Sequence, residues 1–212
     1  MSKPRIILAD DHKMLTEAFE GLLADDYEIV DMVADGHALI ESVARHQPDL
    51  IVVDVSMPLL NGLEAVRKIN KSLPDVKIIF LTVNGDPELV TEAFRCGASG
   101  YVLKNSAASE LINAIELVLR GHFYVTHLIT KGMVNAFIEG PKPGGVSSRL
   151  TQRQREVLQL LAEGHSMKQV AEILKISPRT VAFHKYRIMD ELQIPSNSEL
   201  IRFAVKNNMV SP

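Results

Sequence analysis

The run Leu50-Ile51-Val52-Val53-Asp54 constrains this chain more than any other stretch. Four consecutive apolar residues, three of them β-branched, read as a strand buried on both faces, which requires a sheet covered by helices on either side. The run stops at an aspartate, with Pro58 four residues on, so a carboxylate stands at the strand's C-terminal end. In an open parallel α/β sheet that edge is where ligand sites form. Taken alone, Asp54 has two readings: the opener of a turn, which is the commoner case, or a reactive group.

The same pattern recurs along the first half. Ile6-Ile7-Leu8-Ala9 is a strand, followed by Met14, Leu15, Ala18, Phe19, Leu22 and Leu23 at the spacing of one helix face. Tyr27–Val33 is a second strand, with a helix near 37–45. After the Asp54 strand, Asn61-Gly62 turns into a helix through Leu63, Val66 and Ile69. Val76–Leu81 makes a fourth strand, Pro87 marks the first turn of the next helix, and Tyr101–Leu103 makes a fifth strand before a helix over about 107–119. Five alternations predict an α/β, doubly wound, five-stranded parallel sheet with right-handed crossovers. A further helix is expected through Leu128, Met133, Val134 and Phe137.

Beyond the Pro/Gly/Ser-rich stretch 140–148 the pattern is helical only, over about 152–163, 167–174, 178–192 and 197–206. Thr151 with Gln154 suits a capping box, and Ser177-Pro178 reads as an N-cap followed by proline at the first helical position. The expected plan is a domain over 1–122, a linker over 123–148 that is partly helical before its Pro/Gly/Ser-rich part, and a smaller all-α domain over 149–212.

Charge divides along the same line. Residues 1–125 carry 19 acidic against 11 basic side chains, and residues 126–212 carry 7 against 12, within a formal net charge of −3. An acidic half followed by a basic one suggests different partners, the second a polyanion. Cys96 is the only cysteine, which excludes intramolecular disulfides and cysteine-rich zinc sites. The N-terminus runs straight into a short strand, so no signal peptide or membrane span is expected, and a cytoplasmic setting is the natural one.

The polar residues that end the strands are Asp10 and Asp11, Asp54, Thr82 and Lys104, all on one sheet edge. Each has a bland role, such as capping a helix or sitting in solvent, but the set together has a specific chemistry. Clustered carboxylates need a cation, and an oxygen-only donor set suits Mg²⁺. A carboxylate can also form an aspartyl phosphate, with a lysine ammonium and a threonine hydroxyl to meet the phosphoryl oxygens.

Asp10-Asp11, Val53-Asp54 with Met57-Pro58 and Gly62, Thr82, and Gly97-Ala98-Ser99-Gly100-Tyr101-Val102-Leu103-Lys104 resemble the receiver domain of two-component response regulators over about residues 4–120. The resemblance implies a flavodoxin-like sheet of order 2-1-3-4-5. It implies that Asp54 accepts phosphate from a sensor histidine kinase. It also implies that Asp11, Asp10, Asp54 and the Ser56 carbonyl hold Mg²⁺, that Lys104 and Thr82 meet the phosphoryl group, and that Tyr101 swings inward. Val83 stands where that family usually has alanine.

In the second half, Lys175-Ile176-Ser177 joins two helices closely enough for a helix-turn-helix. Val181, His184, Ile188 and Leu192 recur at inward spacing. Arg179, Ala182, Phe183, Tyr186 and Arg187 then project outward beside Lys185, a mixture of cations and apolar groups that suits a DNA groove. A solvated cationic face on a helical bundle gives the same spacing. The stretches Leu150–Leu158, Leu161–Gly164 and Val170–Val181 resemble the LuxR-type helix-turn-helix over residues 149–210, with Met167 in place of its usual asparagine. A receiver joined to this module is similar to the NarL/FixJ subfamily. That resemblance implies backbone contacts from Lys168, Thr180 and Lys185, base contacts from Ala182, Phe183 and Tyr186, and a dimerisation helix carrying Leu200, Ile201, Ala204 and Val205.

The function expected is a phosphorylation-controlled transcription factor that binds double-stranded DNA as a dimer once its receiver has switched and released the helical domain. It catalyses only its own phosphorylation and dephosphorylation. Two other readings are a phosphatase or phosphotransferase with an aspartyl intermediate, told apart by turnover on small phosphate esters, and an interaction module with a vestigial helical domain, which steeply salt-dependent DNA binding would argue against.

Overall fold

The computed structural model describes residues 3–106, 108–130, 132, 150–207 and 209–210, and the backbone separates into two compact units, each described by itself. In the N-terminal unit, strands and helices alternate as β1 Arg5–Ala9, α1 Lys13–Leu23, β2 Glu28–Val33, α2 Gly36–His46, β3 Leu50–Val53, α3 Gly62–Ser72, β4 Lys77–Thr82, α4 Pro87–Arg95, β5 Gly100–Leu103 and α5 Ala108–Leu119. A further strand, β6 Tyr124–Val125, follows. All pairs are parallel and the sheet order is β2-β1-β3-β4-β5-β6.

The expected order is present, with one strand added at its end. β6 lies inside the stretch expected to be linker, and it pairs Gly100 with Tyr124 and Tyr101 with Val125. Thr126 continues it: its amide donates to the Tyr101 carbonyl at 2.9 Å, and its hydroxyl accepts from the Leu103 amide at 3.0 Å. The edge of β5 is thereby covered, which removes an exposed row of backbone donors and acceptors. Residues 127–130 are helical. Met133, Val134, Phe137 and the Pro/Gly/Ser-rich stretch lie outside the described residues.

Alternation along β3 explains its unbroken apolar run. Leu50 and Val52 face Ile6, Leu8, Leu23, Ile79, Leu81, Val102 and the α5 residues Leu111, Ala114, Ile115 and Val118, while Ile51 and Val53 are equally buried on the opposite pleat. Local signals set the helix starts. Asp35 accepts from the amides of His37 and Ala38, Asn61 from Glu64, and Asp86 from Glu88 with Pro87 at the first helical position.

Glu110, near the start of α5, fastens β6 in place. It accepts from the Tyr124 hydroxyl at 2.8 Å. Burial alone would raise the Glu110 pKa, but hydrogen bonds from Ser106, Tyr124, the His127 amide and Thr126 outweigh it and hold the carboxyl below its ordinary value. Burial and the Glu110 charge push Tyr124 up to about 12. A depressed carboxyl stabilises the fold above its unfolded pKa and loses that effect as pH falls through the folded value. Tyr124→Phe is expected to cost about 1 kcal/mol in urea denaturation at neutral pH, and the cost should shrink below about pH 4 as Glu110 takes up a proton.

The C-terminal unit comprises α6 Gln152–Ala162, α7 Met167–Leu174, α8 Pro178–Glu191 and α9 Asn197–Lys206. Thr151 and Gln154 form the expected capping box, and Ser177 caps α8 through the Thr180 amide. Met167, in the place of an asparagine, leaves the start of α7 intact because Ser166 and Gln169 form a capping box there as well. Lys175 closes α7 in the left-handed conformation with φ 53°, and Arg153 donates to the half-buried Leu174 carbonyl at 2.8 Å. The core gathers Val157, Leu158, Leu160, Val170, Ala171, Val181, Ile188, Leu200 and Ala204.

Candidate functional site

Strand register assembles the first site. β1 and β3 pair Ala9 with Val53, so Asp10 and Asp54 leave adjacent strands side by side. β4 pairs Thr82 with Leu103, which places Lys104 just past the next strand end. Five residues expected on one edge, Asp10, Asp11, Asp54, Thr82 and Lys104, therefore do share it.

The Lys104 ammonium lies 2.7 Å from Asp10 Oδ2 and 2.8 Å from Asp54 Oδ2, with both carboxylates almost fully buried, 6% and 4% exposed. One cation thus serves two anions. Burial pushes the Asp54 carboxyl above the usual range; Lys104 and the Ser56 amide oppose this, and the neighbouring Asp10 charge adds to it. For Lys104 burial alone would lower the pKa, but its bonds to Asp10 and Asp54 more than reverse the effect. The pocket is therefore short of positive charge.

Neither Asp10 nor Asp11 caps α1, whose N-cap is His12 with no side-chain capping bond. Asp54 does open its turn, by accepting from Ser56, but it also bonds the lysine 50 residues away. Asp10, Asp11, His12 and Asp54 each offer a ligand atom, all within 4.8 Å of one another. Such a donor set fits a divalent cation, and the uncompensated charge at Asp54 gives the cation something to neutralise. Ser56 is half-buried in the same loop.

Gly62 brings α3 onto the end of β3. Its amide donates to the Val55 carbonyl at 2.9 Å, and a Cβ there would lie 2.0 Å from the Asp54 carbonyl oxygen. The Asn61-Gly62 signal announces a turn, but nothing in it announces this close approach.

Thr82 is buried and its hydroxyl accepts from the Asn84 amide at 3.3 Å. Tyr101 departs from expectation. It is already wholly buried, 6.5 Å from the Phe80 ring centre, and its hydroxyl donates to the Asn84 carbonyl at 2.7 Å. The inward position is filled in this structure, because Phe80 offers an apolar wall and Asn84 a free carbonyl at its end. Burial, with the Asp86 and Asp54 charges, pushes the phenol well above its ordinary pKa. Asn84 was not singled out in the sequence; only its Asn-Gly turn signal marks it. Val83 is 77% exposed, so its extra bulk points to solvent.

The second site lies on α7 and α8. Phe183, Tyr186, Arg179 and Arg187 are exposed along one side of α8, Ala182 and Lys185 are half-buried beside them, and Lys168 is exposed on α7. The Lys185 ammonium lies 5.7 Å from the centre of the Tyr186 ring, holding that ring in a cation–π contact. Thr180 sits at the helix N-terminus, its hydroxyl 2.8 Å from that of Ser177. Cations and a helix N-terminus suit phosphates; exposed aromatic and methyl groups suit base edges.

The expected dimerisation residues require a correction. Leu200 and Ala204 are 2% and 0% exposed because they pack in the domain's own core. On α9 the outward residue of the four is Ile201, with Val205 half-buried. Among the described residues, no helix is long and apolar enough to cross a membrane.

A parallel sheet with an acid pair, a third acid, a threonine and a lysine on its edge, joined to a helix-turn-helix, defines a class: receiver-type regulators that bind DNA. The family model of the response regulator receiver domain matches residues 6–116, and that of the bacterial regulatory proteins of the luxR family matches residues 148–204. The chain belongs to the two-component response regulators that carry a receiver and a LuxR-type helix-turn-helix, and it is a DNA-binding regulator of transcription.

It is 38% identical to the oxygen regulatory protein NreC of Staphylococcus carnosus over 97% of this chain and 99% of that protein. Among solved structures, a LuxR-family response regulator from Aurantimonas sp. is 31% identical with a TM-score of 0.62, covering 65% of this chain and 99% of that one. RcsB of Salmonella typhimurium is 25% identical with a TM-score of 0.67, covering 98% of this chain and 99% of that one. Another RcsB structure has two dimers bound to two parallel DNAs, at 25% identity and a TM-score of 0.59 over 95% of this chain and 98% of that one.

Proposed function

We propose that Asp54 accepts the phosphoryl group of a sensor histidine kinase's phosphohistidine, and that the modified receiver releases the helix-turn-helix unit to bind DNA as a dimer. The observation that carries this reading is the buried Asp54 carboxylate held at 2.8 Å by Lys104 on the edge where the acids collect. In the transfer an Asp54 oxygen forms a bond to phosphorus, the nitrogen–phosphorus bond of the donor breaks, and its electron pair returns to the imidazole ring. Lys104, already desolvated, turns from the carboxylates toward a phosphoryl oxygen and steadies its charge without reorganising solvent.

The residues that would hold Mg²⁺ are Asp11, Asp10, Asp54 and the Ser56 carbonyl. Bound there, the ion supplies the positive charge that Lys104 alone cannot, neutralising the transferring phosphoryl oxygens. Thr82 moves toward the phosphoryl group to donate its hydroxyl, and that movement draws its oxygen away from the Asn84 amide. Asn84 also holds the Tyr101 hydroxyl, so the change at Thr82 is felt along that loop. With Tyr101 already seated inward, its part is to hold the switched arrangement.

On DNA, Lys168, Thr180 and Lys185 meet phosphates, with Arg179 and Arg187 adding charge, and Ala182, Phe183 and Tyr186 face the base edges. Ile201 and Val205 supply the apolar contact between copies. Oligonucleotides selected by the protein from a randomised pool should bind at least about tenfold tighter after treatment with acetyl phosphate and Mg²⁺, with no such gain for Asp54→Ala. Equal affinity in all samples would remove the phospho-switch and leave DNA binding standing.

A further inference from the structure

His12 has a place in the acid cluster that the expected chemistry does not use. Its Nδ1 lies 2.9 Å from Asp10 Oδ1 and 2.9 Å from Asp11 Oδ1. Its amide donates to the same Asp10 oxygen at 2.9 Å, which fixes where that oxygen points. The ring does no other local work: His12 is the N-cap of α1, yet its side chain makes no capping bond, and it stands largely in solvent.

Those spacings have a geometric meaning. In octahedral coordination with bonds of roughly 2.1 Å, two neighbouring ligand atoms stand about 3.0 Å apart. His12 Nδ1 thus stands at the separation of an adjacent corner from Asp10 Oδ1 and from Asp11 Oδ1, and a ligand atom of Asp54 lies within 4.8 Å of the set. Carboxylates alone favour Mg²⁺, whereas adding an imidazole nitrogen favours first-row transition dications.

We propose that His12 is a direct metal ligand in this receiver and shifts its selectivity from Mg²⁺ toward Mn²⁺ and related transition dications. This rests on the reading that the acid cluster binds a divalent cation. His12 then serves as a selectivity residue: Mg²⁺, which gives up water reluctantly, uses the carboxylate oxygens, and Mn²⁺, less tightly hydrated and a better acceptor of nitrogen donors, gains the nitrogen as well. The backbone bond from His12 to Asp10 supports this by holding one acid oxygen beside the ring, so the ligand pair is organised before the ion arrives.

The test uses the full-length protein and His12→Phe, which keeps a ring of similar size without its nitrogens and leaves the helix cap untouched. Calorimetric titration with MnCl₂ and with MgCl₂ at about pH 8 gives the ratio of the two affinities. The preference for Mn²⁺ is expected to fall about tenfold or more in His12→Phe. Pulsed electron paramagnetic resonance of the Mn²⁺-loaded protein should show ¹⁴N modulation from a bound imidazole, absent in the variant. An unchanged ratio, or no ¹⁴N modulation in the wild type while Mg²⁺ still binds, would overturn the role of His12 and leave the metal site in place. Failure of both ions to bind the wild type would overturn the metal reading itself, and the inference with it.

Discussion

Replacing Asp54 with asparagine is expected to abolish covalent labelling by acetyl phosphate altogether while raising the melting temperature of the metal-free protein. The loss follows from chemistry, since an amide oxygen is no nucleophile for phosphorus. The gain follows from the pocket's charge. Burial and the nearby Asp10 carboxylate hold the Asp54 pKa above its ordinary value despite Lys104. A group whose folded pKa is raised contributes stability that is full below its unfolded pKa and lost as pH rises through the folded one.

At neutral pH the ionised Asp54 therefore weighs against the fold, and asparagine removes that charge while its one amide oxygen still accepts from Lys104. The stabilisation should vanish toward about pH 4 and below, where the wild-type carboxyl carries its proton. Phosphorylation is read by intact-mass spectrometry and melting by calorimetry across that range. Residual labelling of Asp54→Asn would move the phosphoacceptor elsewhere. A lower melting temperature at neutral pH would mean that the ion pair with Lys104 outweighs burial.

Gly62→Ala is the second large effect, and its cause is steric. The added methyl would stand 2.0 Å from the Asp54 carbonyl oxygen and 3.1 Å from Val53 Cγ2. Both neighbours belong to the β3 segment, which cannot move aside as the end of a flexible side chain can. Either α3 withdraws or the loop after β3 shifts, and the expected cost in denaturant unfolding is about 3 kcal/mol or more.

The displaced element carries Asp54, the proposed phosphoacceptor, so the surviving folded protein should also be phosphorylated about 100-fold more slowly, because small misplacement of a reacting group is expensive in rate. Gly21, which has open space around it, is the control: Gly21→Ala lies within α1 and should be neutral or stabilising. If Gly62→Ala matches the wild type in both measurements, the close approach of α3 to Asp54 has no energetic weight.

Elements with strong local signals were legible in the chain itself. The β-branched runs place every strand of the central five, and each polar strand end then lies on one edge. Ser177-Pro178 and Thr151 with Gln154 locate helix starts to the residue, because a cap is a bond within a single turn. β6 was not legible: it is two residues long, and only its pairing with Gly100 and Tyr101 makes it a strand. The inward seat of Tyr101 was not legible either, since it depends on the Phe80 wall and the Asn84 carbonyl, and the Asn84-Gly85 turn signal does not announce that this carbonyl meets a tyrosine.

Leu200 and Ala204 show a different limit. A helix face of apolar residues reads the same whether it packs on its own domain or on a second copy. Only the position of the other helices reveals that these two belong to the domain core while Ile201 faces outward. The resemblance of this helix to a dimerisation element remains compatible with the outward residues alone.

The chain by itself therefore determined where the five central strands and the capped helices lie, how they alternate, and which chemical groups stand at the strand ends, because periodicity, β-branching and capping act within a few residues. Tertiary structure alone decided what those groups do to one another. Lys104 divides its charge between Asp10 and Asp54, His12 reaches both Asp10 and Asp11, and Gly62 draws a helix against the end of β3. The contacts at Lys104 and Gly62 depend on sheet register and packing between distant segments, and the bridge at His12 depends on where the loop after β1 turns, none of which has a signature in the order of residues.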